Sequence, residues 1–265
     1  MKKYIIILSL ILIAITLTSS YAFKWNFTDL TASNNKNVTE ELTKTEIKAP
    51  TRFSDFVYGI GPRFGPMKLS AIQKATSIKE FLEDEDFIAI EELYSTSIIV
   101  IKNDDLTDIR AYGNTFELNN EQLSLIKSLG ISTNFVFKAE YLSKNLKTGK
   151  LEYKYTKPHQ TIVPEHQATY SHGFEELKKY LRENSKDTWE AIDENDLQPA
   201  KLFFTISKSG TVKNIYIDRT SNFPKVDNRM IELLNEIPGT WIPAKNSKGE
   251  KVDQELVISF GLMGC

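Results

Sequence analysis

The residues best suited to metal binding or acid-base chemistry are three histidines that lie close together in the chain. His159, His166 and His172 are spaced seven and six residues apart, and no other histidine occurs. This spacing does not place them on one helical face, and no carboxylate stands at a metal-motif distance from them. We predict surface or linker histidines. The alternative is a zinc site or a Ser-His-Asp arrangement, either of which is defined by three-dimensional geometry.

Two further stretches carry residue types that often bind ligands. The acidic run at residues 80–86 lacks the alternating oxygens and the glycine of a calcium loop, which favours a solvated face. Residues 59–65 are glycine-rich, but Pro62 interrupts them and the Gly-Lys-Ser/Thr ending of a phosphate loop is missing, which indicates a turn. There is no nucleophile-elbow motif, and Cys265 is the single cysteine. We therefore predict a protein that is not an enzyme and needs no metal or cofactor.

Composition and charge narrow the class of partner. The chain is 41% hydrophobic and 26% charged, with a formal net charge of −2. Because no basic excess exists to neutralise phosphates, we expect no nucleic-acid partner. Lys2 and Lys3 precede an apolar run from Tyr4 to about Leu17, a pattern typical of a secretory signal or an N-terminal anchor. The lysines stay in the cytoplasm, so we expect residues 24–265 to cross the inner membrane.

The N-terminal 23 residues support two interpretations. A membrane-spanning helix needs about 20 apolar residues, which this stretch reaches only if its threonines and serines are included. Ser20-Tyr21-Ala22 also fits a cleavage site. An uncleaved anchor would place the protein in the inner membrane with periplasmic domains, whereas cleavage would release it into the periplasm. Residues 24–50, rich in Asn, Thr, Lys and Glu, are predicted to form a flexible tether.

Residues 51–164 are predicted to form a small α+β domain of unknown role. Short strands are expected at residues 56–60 and 97–101. Asn119 and Gln122 have the spacing of a capping box that begins a helix, which Gly130 would end. A hairpin is expected between residues 134–141 and 150–156, with its turn near Gly149.

Residues 165–265 are predicted to form a second α+β domain. Apolar residues recur at helical spacing in residues 171–184 and 226–237. Between these helices, residues 201–207 and 211–218 form a predicted hairpin around Gly210, and the phase of Val212 indicates a bulge. A long final strand is expected over residues 252–262.

Here the chain resembles the C-terminal domain of the TonB family, over roughly residues 165–265. The residues that carry the resemblance, in order along the chain, are Ala168, Tyr170, Gly173, Tyr180, Leu181, Phe204, Thr205, Ile206, Gly210, Val212, Asp227, Ile237, Pro238, Trp241, Pro243, Ala244, Gly249, Val252, Ile258 and Phe260. The resemblance implies two helices packed on a three-stranded antiparallel sheet. It also implies that an extended segment of an outer-membrane transporter, the TonB box, pairs with the last strand, and that inner-membrane motor proteins act as further partners.

Physical chemistry supports such a use of the last strand. The edge of a three-stranded sheet exposes unpaired amide and carbonyl groups, to which an extended peptide can add. The predicted binding edge consists of Val252, Asp253, Gln254, Glu255, Leu256, Val257 and Ile258. One alternative is that this is a core strand whose edge the middle domain covers. Another is a periplasmic adaptor with the same fold and no energy coupling; the tether, whose one proline is Pro50, and the lack of histidine before His159 depart from the family.

Overall fold

The computed structural model describes residues 56–193 and 196–261, except the side chain of Tyr58. The predicted leader and tether lie outside this range. The first part of the described chain contains seven strands, three α-helices and a 3₁₀ helix: β1 (Val57–Gly61), β2 (Gly65–Lys68), α1 (Leu69–Ile72), the 3₁₀ helix (Ile78–Phe81), α2 (Asp84–Ile88), β3 (Glu92–Lys102), β4 (Asp105–Gly113), α3 (Asn120–Ser128), β5 (Asn134–Lys144), β6 (Leu151–Thr156) and β7 (His159–Val163).

The second part contains the two longest helices and the remaining strands. Its elements are β8 (Thr169–Tyr170), α4 (Gly173–Trp189), β9 (Ala200–Ile206), β10 (Val212–Arg219), α5 (Pro224–Asn235), β11 (Trp241–Ile242), β12 (Ala244–Lys245), β13 (Lys251–Val252) and β14 (Gln254–Phe260). Both predicted helices are therefore confirmed, with α4 extending five residues beyond its predicted end.

Six strands of the first part form one sheet, which we call the middle sheet. Its order is β2-β7-β5-β3-β4, and β6 pairs with the second half of β5 on the same side as β7. Only β2 and β7 run parallel. One face is covered by the short helices and buries alternate residues of β3 and β5, including Ile98, Val100, Phe135 and Phe137. The opposite face is called the outer face below.

The helix cap and the hairpin predicted in this region are both present. Asn119 Oδ1 accepts from the Gln122 amide at 3.0 Å, and Gln122 Oε1 accepts from the Asn119 amide at 3.1 Å, so the capping box is confirmed. The buried Gln122 also donates to Thr96 Oγ1 at 3.0 Å, which ties α3 to β3. The predicted hairpin is confirmed as β5 and β6.

The second sheet, the C-terminal sheet, has the order β1-β14-β9-β10 and is antiparallel throughout. Helices α4 and α5 contribute Leu177, Leu181, Met230 and Leu234 to the same buried cluster as inward-facing residues of the sheet. The predicted hairpin is confirmed as β9 and β10, and β10 has the irregular register that the phase of Val212 indicates. The fold is α+β.

The prediction of a three-stranded sheet is wrong, because β1 adds a fourth strand. The strand expected near Phe56 exists, but it pairs with β14 rather than with its sequence neighbours in the middle sheet. The physical reason is burial: Phe56 and Val57 are at most 1% exposed and pack into the core formed with α4 and α5. Consequently β14 is an inner strand.

The two sheets lie in one compact unit and contact each other at several points. The predicted domain boundary falls in the link between β7 and β8, where His166 and Lys245 exchange two backbone hydrogen bonds of 3.0 and 2.8 Å. Ser132 and Arg63, in loops of the first part, reach β14 and β10. In the described part of the chain, no helix is both long enough and apolar enough to cross a bilayer.

Candidate functional site

The edge of β14 that faces away from β9 is the predicted peptide-binding edge, and it is occupied. Val257 and Ser259 lie opposite Gly61 and Gly59 of β1. The Gly261 amide donates to the Phe56 carbonyl at 2.7 Å. Beyond the end of β1, the Glu255 amide donates to Ser132 Oγ at 2.9 Å. The prediction of a free edge at residues 252–258 is therefore wrong, because the chain's own segments cover Glu255, Val257 and Ile258 within that stretch.

Aromatic packing anchors β1 at its first residues. The ring of Phe56 stacks on Trp189 of α4, with centroids 4.8 Å apart and planes 3° apart, and lies 5.6 Å from the ring of Phe260. Two of its five residues, Gly59 and Gly61, have no side chain. The segment is thus held by main-chain pairing along its length and by side-chain burial at one end.

The predicted edge residues do not form a common surface. Val252 belongs to β13, which pairs with β12, and Leu256, Val257 and Ile258 are buried. The buried Gln254 side chain accepts from the Ala168 amide at 2.7 Å and so connects β14 to the link before β8. The remaining two, Asp253 and Glu255, have acidic side chains in different surroundings.

The pKa values of the Asp253 and Glu255 carboxyls are shifted in opposite directions. Asp253 accepts from Lys213 Nζ at 2.5 Å and from the Lys208 amide at 2.7 Å, and these hydrogen bonds lower the pKa of its carboxyl. Burial raises the pKa of the Glu255 carboxyl, with nearby Asp218 acting in the same direction and Arg63 and Tyr216 opposing it.

At the other edge of the C-terminal sheet lies β10, which is exposed and irregular. Its pairing with β9 shifts register twice, between Lys213 and Tyr216 and between Ile217 and Arg219. Asn214 within it has a φ of 52°. Such bulges break the regular row of amides and carbonyls that an added strand requires.

Several of the family-motif residues hold turns and loops of the C-terminal region. Gly210 has a φ of 81°, and a Cβ built on it would lie 2.6 Å from the Trp241 carbonyl oxygen. Trp241 is buried and packs on Tyr170, whose hydroxyl donates to the Pro238 carbonyl. Gly173 and Gly249 also have positive φ, at the start of α4 and in the turn before β13. Pro243 connects β11 to β12.

Two more motif residues act inside the core. Asp227, in the first turn of α5, accepts from the buried Ser221 amide at 3.0 Å and from the Thr220 hydroxyl, which fixes the loop after β10. Phe260 is fully buried beside Phe56. The contacts described for these motif residues hold turns, loops and the core in place, and none of them forms a catalytic or ligand-binding arrangement.

Arg63 lies between the outer face of the middle sheet and the face of the C-terminal sheet that carries Phe203, opposite its helices. Its side chain is 5% exposed, forms ion pairs with Asp104 and with Asp218, the latter at 3.4 Å, and lies over the rings of Phe64 and Phe203. Its guanidinium is centred 5.3 and 5.0 Å from those two rings. The sequence around Arg63 indicates only a turn, because its two acidic partners are distant in the chain and leave no local signal.

The three histidines are exposed and lie on separate elements. His159 begins β7 on the outer face of the middle sheet, His166 makes the backbone pair with Lys245, and His172 precedes α4. Within residues 56–193 and 196–261, no three His, Cys, Asp or Glu side chains come together as metal ligands could. Within these residues, the structure therefore does not bring the predicted zinc site together.

Comparison with known proteins yields no family model, curated protein or solved structure that matches this chain. Its function is argued below from geometry and from the resemblance of residues 165–265.

Proposed function

We propose that this is a TonB-like protein of the cell envelope that binds an extended segment of an outer-membrane transporter by β-strand addition. In this proposal the protein is not an enzyme and uses no cofactor. The N-terminus either anchors it in the inner membrane, where motor proteins could act on it, or is removed to leave a periplasmic protein. The C-terminal sheet is the part that binds, and β14 is the strand that a partner would join.

The pairing of β1 with β14 is the observation that supports this proposal. It places a short extended segment on the same edge that the resemblance implies for the TonB box. Most of the pairing uses main-chain groups, and two of the five residues of β1 are glycines. An edge that binds such a segment by its backbone can accept another of similar shape, because strand addition depends on backbone hydrogen bonds more than on sequence.

A partner segment must displace β1 to reach this edge. The alternative edge, β10, offers irregular hydrogen-bonding groups. Displacement exchanges one set of backbone hydrogen bonds for another, so these bonds contribute little to the free-energy difference between the sheet paired with β1 and the sheet paired with the partner. What opposes displacement is the burial of Phe56, together with the high effective concentration of a segment attached to the same chain, on the order of millimolar. We expect partner binding to be weak unless β1 is loosened.

The test uses the full chain with the substitution Phe56→Ala and a synthetic peptide with the sequence of residues 53–62. We expect this variant to bind the peptide, and the unsubstituted protein to bind it at least about tenfold more weakly, because its own β1 competes. The control is the same peptide with proline in place of Gly59, which removes the amide that faces Ser259 and should abolish binding.

Competition with peptides from the periplasmic N-termini of the host's outer-membrane transporters then tests the partner. Displacement of the 53–62 peptide by at least one of them supports the proposal. If the 53–62 peptide binds neither protein, strand addition at β14 in trans is wrong.

The second candidate is a periplasmic adaptor in which β1 closes the edge permanently. The stacking of Phe56 on Trp189 favours it, since a displaceable strand gains nothing from a fully buried anchor. Binding of the 53–62 peptide without competition by any transporter peptide would select this candidate.

A further inference from the structure

A cleft of about 410 Å³ lies between the outer face of the middle sheet and the open end of the β9-β10 hairpin, away from the turn at Gly210. Its floor is aliphatic and consists of Ile99, Ile101 and Val136, which are each less than 10% exposed and pack with Phe64. Leu106, an exposed residue of β4, lies at its side. A site of this size and lining suits a small ligand with an apolar body.

The polar groups at the mouth of the cleft are almost all cationic. Lys138, Lys157, Lys201 and Arg219 line it together with His159. The one acidic residue in the lining, Asp104, is engaged by Arg63. Lys138 pairs with Glu140 at 2.7 Å, whereas Lys157, Lys201 and Arg219 have no acidic partner within 4 Å in the described part of the chain.

Lys201 and Arg219 stand opposite each other on paired strands, which places two like charges side by side. They are partners in the β9-β10 register, and Arg63 lies near them on the same face. Burial lowers the pKa of the half-buried Lys201 ammonium, the charges of Arg219 and Arg63 act in the same direction, and the charge of Asp218 opposes them. Like charges directly opposite on neighbouring strands are destabilising, so an anion between Lys201 and Arg219 would relieve a repulsion that Asp218 offsets only in part.

We propose that this cleft binds a small amphiphilic carboxylate, with the carboxylate between Lys201 and Arg219 and the apolar chain over Ile99, Ile101 and Val136. Charge complementarity selects an anion, and the aliphatic floor selects a hydrocarbon rather than a sugar or an inorganic ion. The cleft volume corresponds to about 14 water molecules at about 30 Å³ each, which accommodates a medium-length fatty acid. This site is separate from the β14 edge and does not depend on the proposed strand addition.

The first test is calorimetric titration of the full chain with octanoate, 1-octanol and octylammonium, which share one chain and differ in charge. We expect octanoate to bind, octanol to bind at least about tenfold more weakly than octanoate, and octylammonium not to bind. Affinity should rise by up to about fourfold with each added methylene of the carboxylate until the cleft is filled. Equal binding of octanoate and octanol would overturn the proposal, because the cations would then contribute nothing.

Variants locate the ligand. Lys201→Met and Arg219→Met keep an apolar stem and remove one charge each, and the double variant should weaken octanoate binding by about tenfold or more. Lys179→Met, on the exposed surface of α4, is the matched control and should bind as the unsubstituted protein does. In methyl-labelled protein, octanoate should shift the signals of Ile99 and Ile101. Unchanged affinity in the double variant, unshifted isoleucine signals, or no binding of octanoate would each overturn the assignment.

Discussion

One edge strand of the C-terminal sheet is β1, which is buried at its start, whereas the other is β10, which is exposed and has an irregular backbone. On the first side, β1 pairs with residues 257–260 of β14 and places Phe56 and Val57 in the core. On the second side, β10 pairs only with β9 among the described strands and carries two register shifts. The first arrangement covers β14, and the second discourages a partner strand from adding to β10.

The difference between the two edges has a functional consequence. The bulged strand β10 discourages pairing through its irregular backbone, although no other described strand covers it, and a competing peptide cannot remove the bulges. A paired strand occupies the site, but a competitor with more favourable contacts can replace it. If the sheet binds a partner strand, β14 is therefore the strand to examine, and the stability of β1 sets the affinity.

The largest expected effect comes from removing the anchor of β1. Phe56→Ala deletes a fully buried ring that stacks on Trp189, so we expect the free energy of unfolding to fall by about 3–5 kcal/mol. Hydrogen exchange of the Val257 and Ser259 amides should accelerate more than exchange in β5. Urea denaturation and exchange measured by NMR check these two outcomes.

The matched control for Phe56→Ala is Phe116→Ala, at a phenylalanine that is 37% exposed and contacts Phe87. We expect it to cost about 1 kcal/mol or less. If both variants lose the same stability, or if exchange in β14 is unaffected, β1 is not anchored as described.

A smaller effect is expected at the turn that leads into β10. Gly210→Ala introduces a Cβ at positive φ and 2.6 Å from the Trp241 carbonyl oxygen, so we expect a loss of about 2–4 kcal/mol. Gly249→Ala is the matched control, because its φ of 79° is nearly the same but no atom lies within 4 Å of the added Cβ. It should cost about 1–2 kcal/mol, from backbone strain alone. Equal losses of stability for the two variants, measured by thermal unfolding, would show that the backbone at Trp241 moves away from the added Cβ at no cost.

The parts of the fold that sequence analysis predicted correctly depend on neighbours in the chain. The capping box of Asn119 and Gln122 spans four residues, and the β9-β10 hairpin needs its turn around Gly210. A β-branched apolar run at residues 97–101 predicted part of β3, and alternating apolar residues predicted β5, for the same reason. Such signals require no knowledge of distant residues.

The candidate site was harder to predict because it depends on distant pairs. Almost 200 residues separate Gly59 from Ser259, and nothing in a five-residue strand specifies its partner. Arg63 and Asp218 are 155 residues apart, and the cleft cations come from four different segments. The apolar character of Phe56 and Val57 predicts burial, but not in which sheet.

The smallest expected effect concerns the part of β14 that β1 does not reach. Here Glu255 lies near Arg63, Asp218 and Tyr216, and burial raises the pKa of its carboxyl in the folded protein. At a pH below the ordinary pKa of glutamate, about 4.3, the carboxyl is protonated in both states and contributes no difference. As the pH rises above that value, the unfolded chain ionises first, so wild-type stability falls through this window until the folded state also ionises.

Glu255→Gln removes this dependence, because the amide stays neutral at every pH. We expect the variant to be more stable than the unsubstituted protein near neutral pH, and the advantage to vanish as the pH falls towards about 4. Thermal unfolding across this range measures it, and Glu91→Gln, at an exposed carboxylate, is the matched control. A variant that is less stable at neutral pH would mean that attraction to Arg63 outweighs burial. The end of β14 that β1 does not reach would then be held by charge, in contrast to the apolar anchor of Phe56 at its other end.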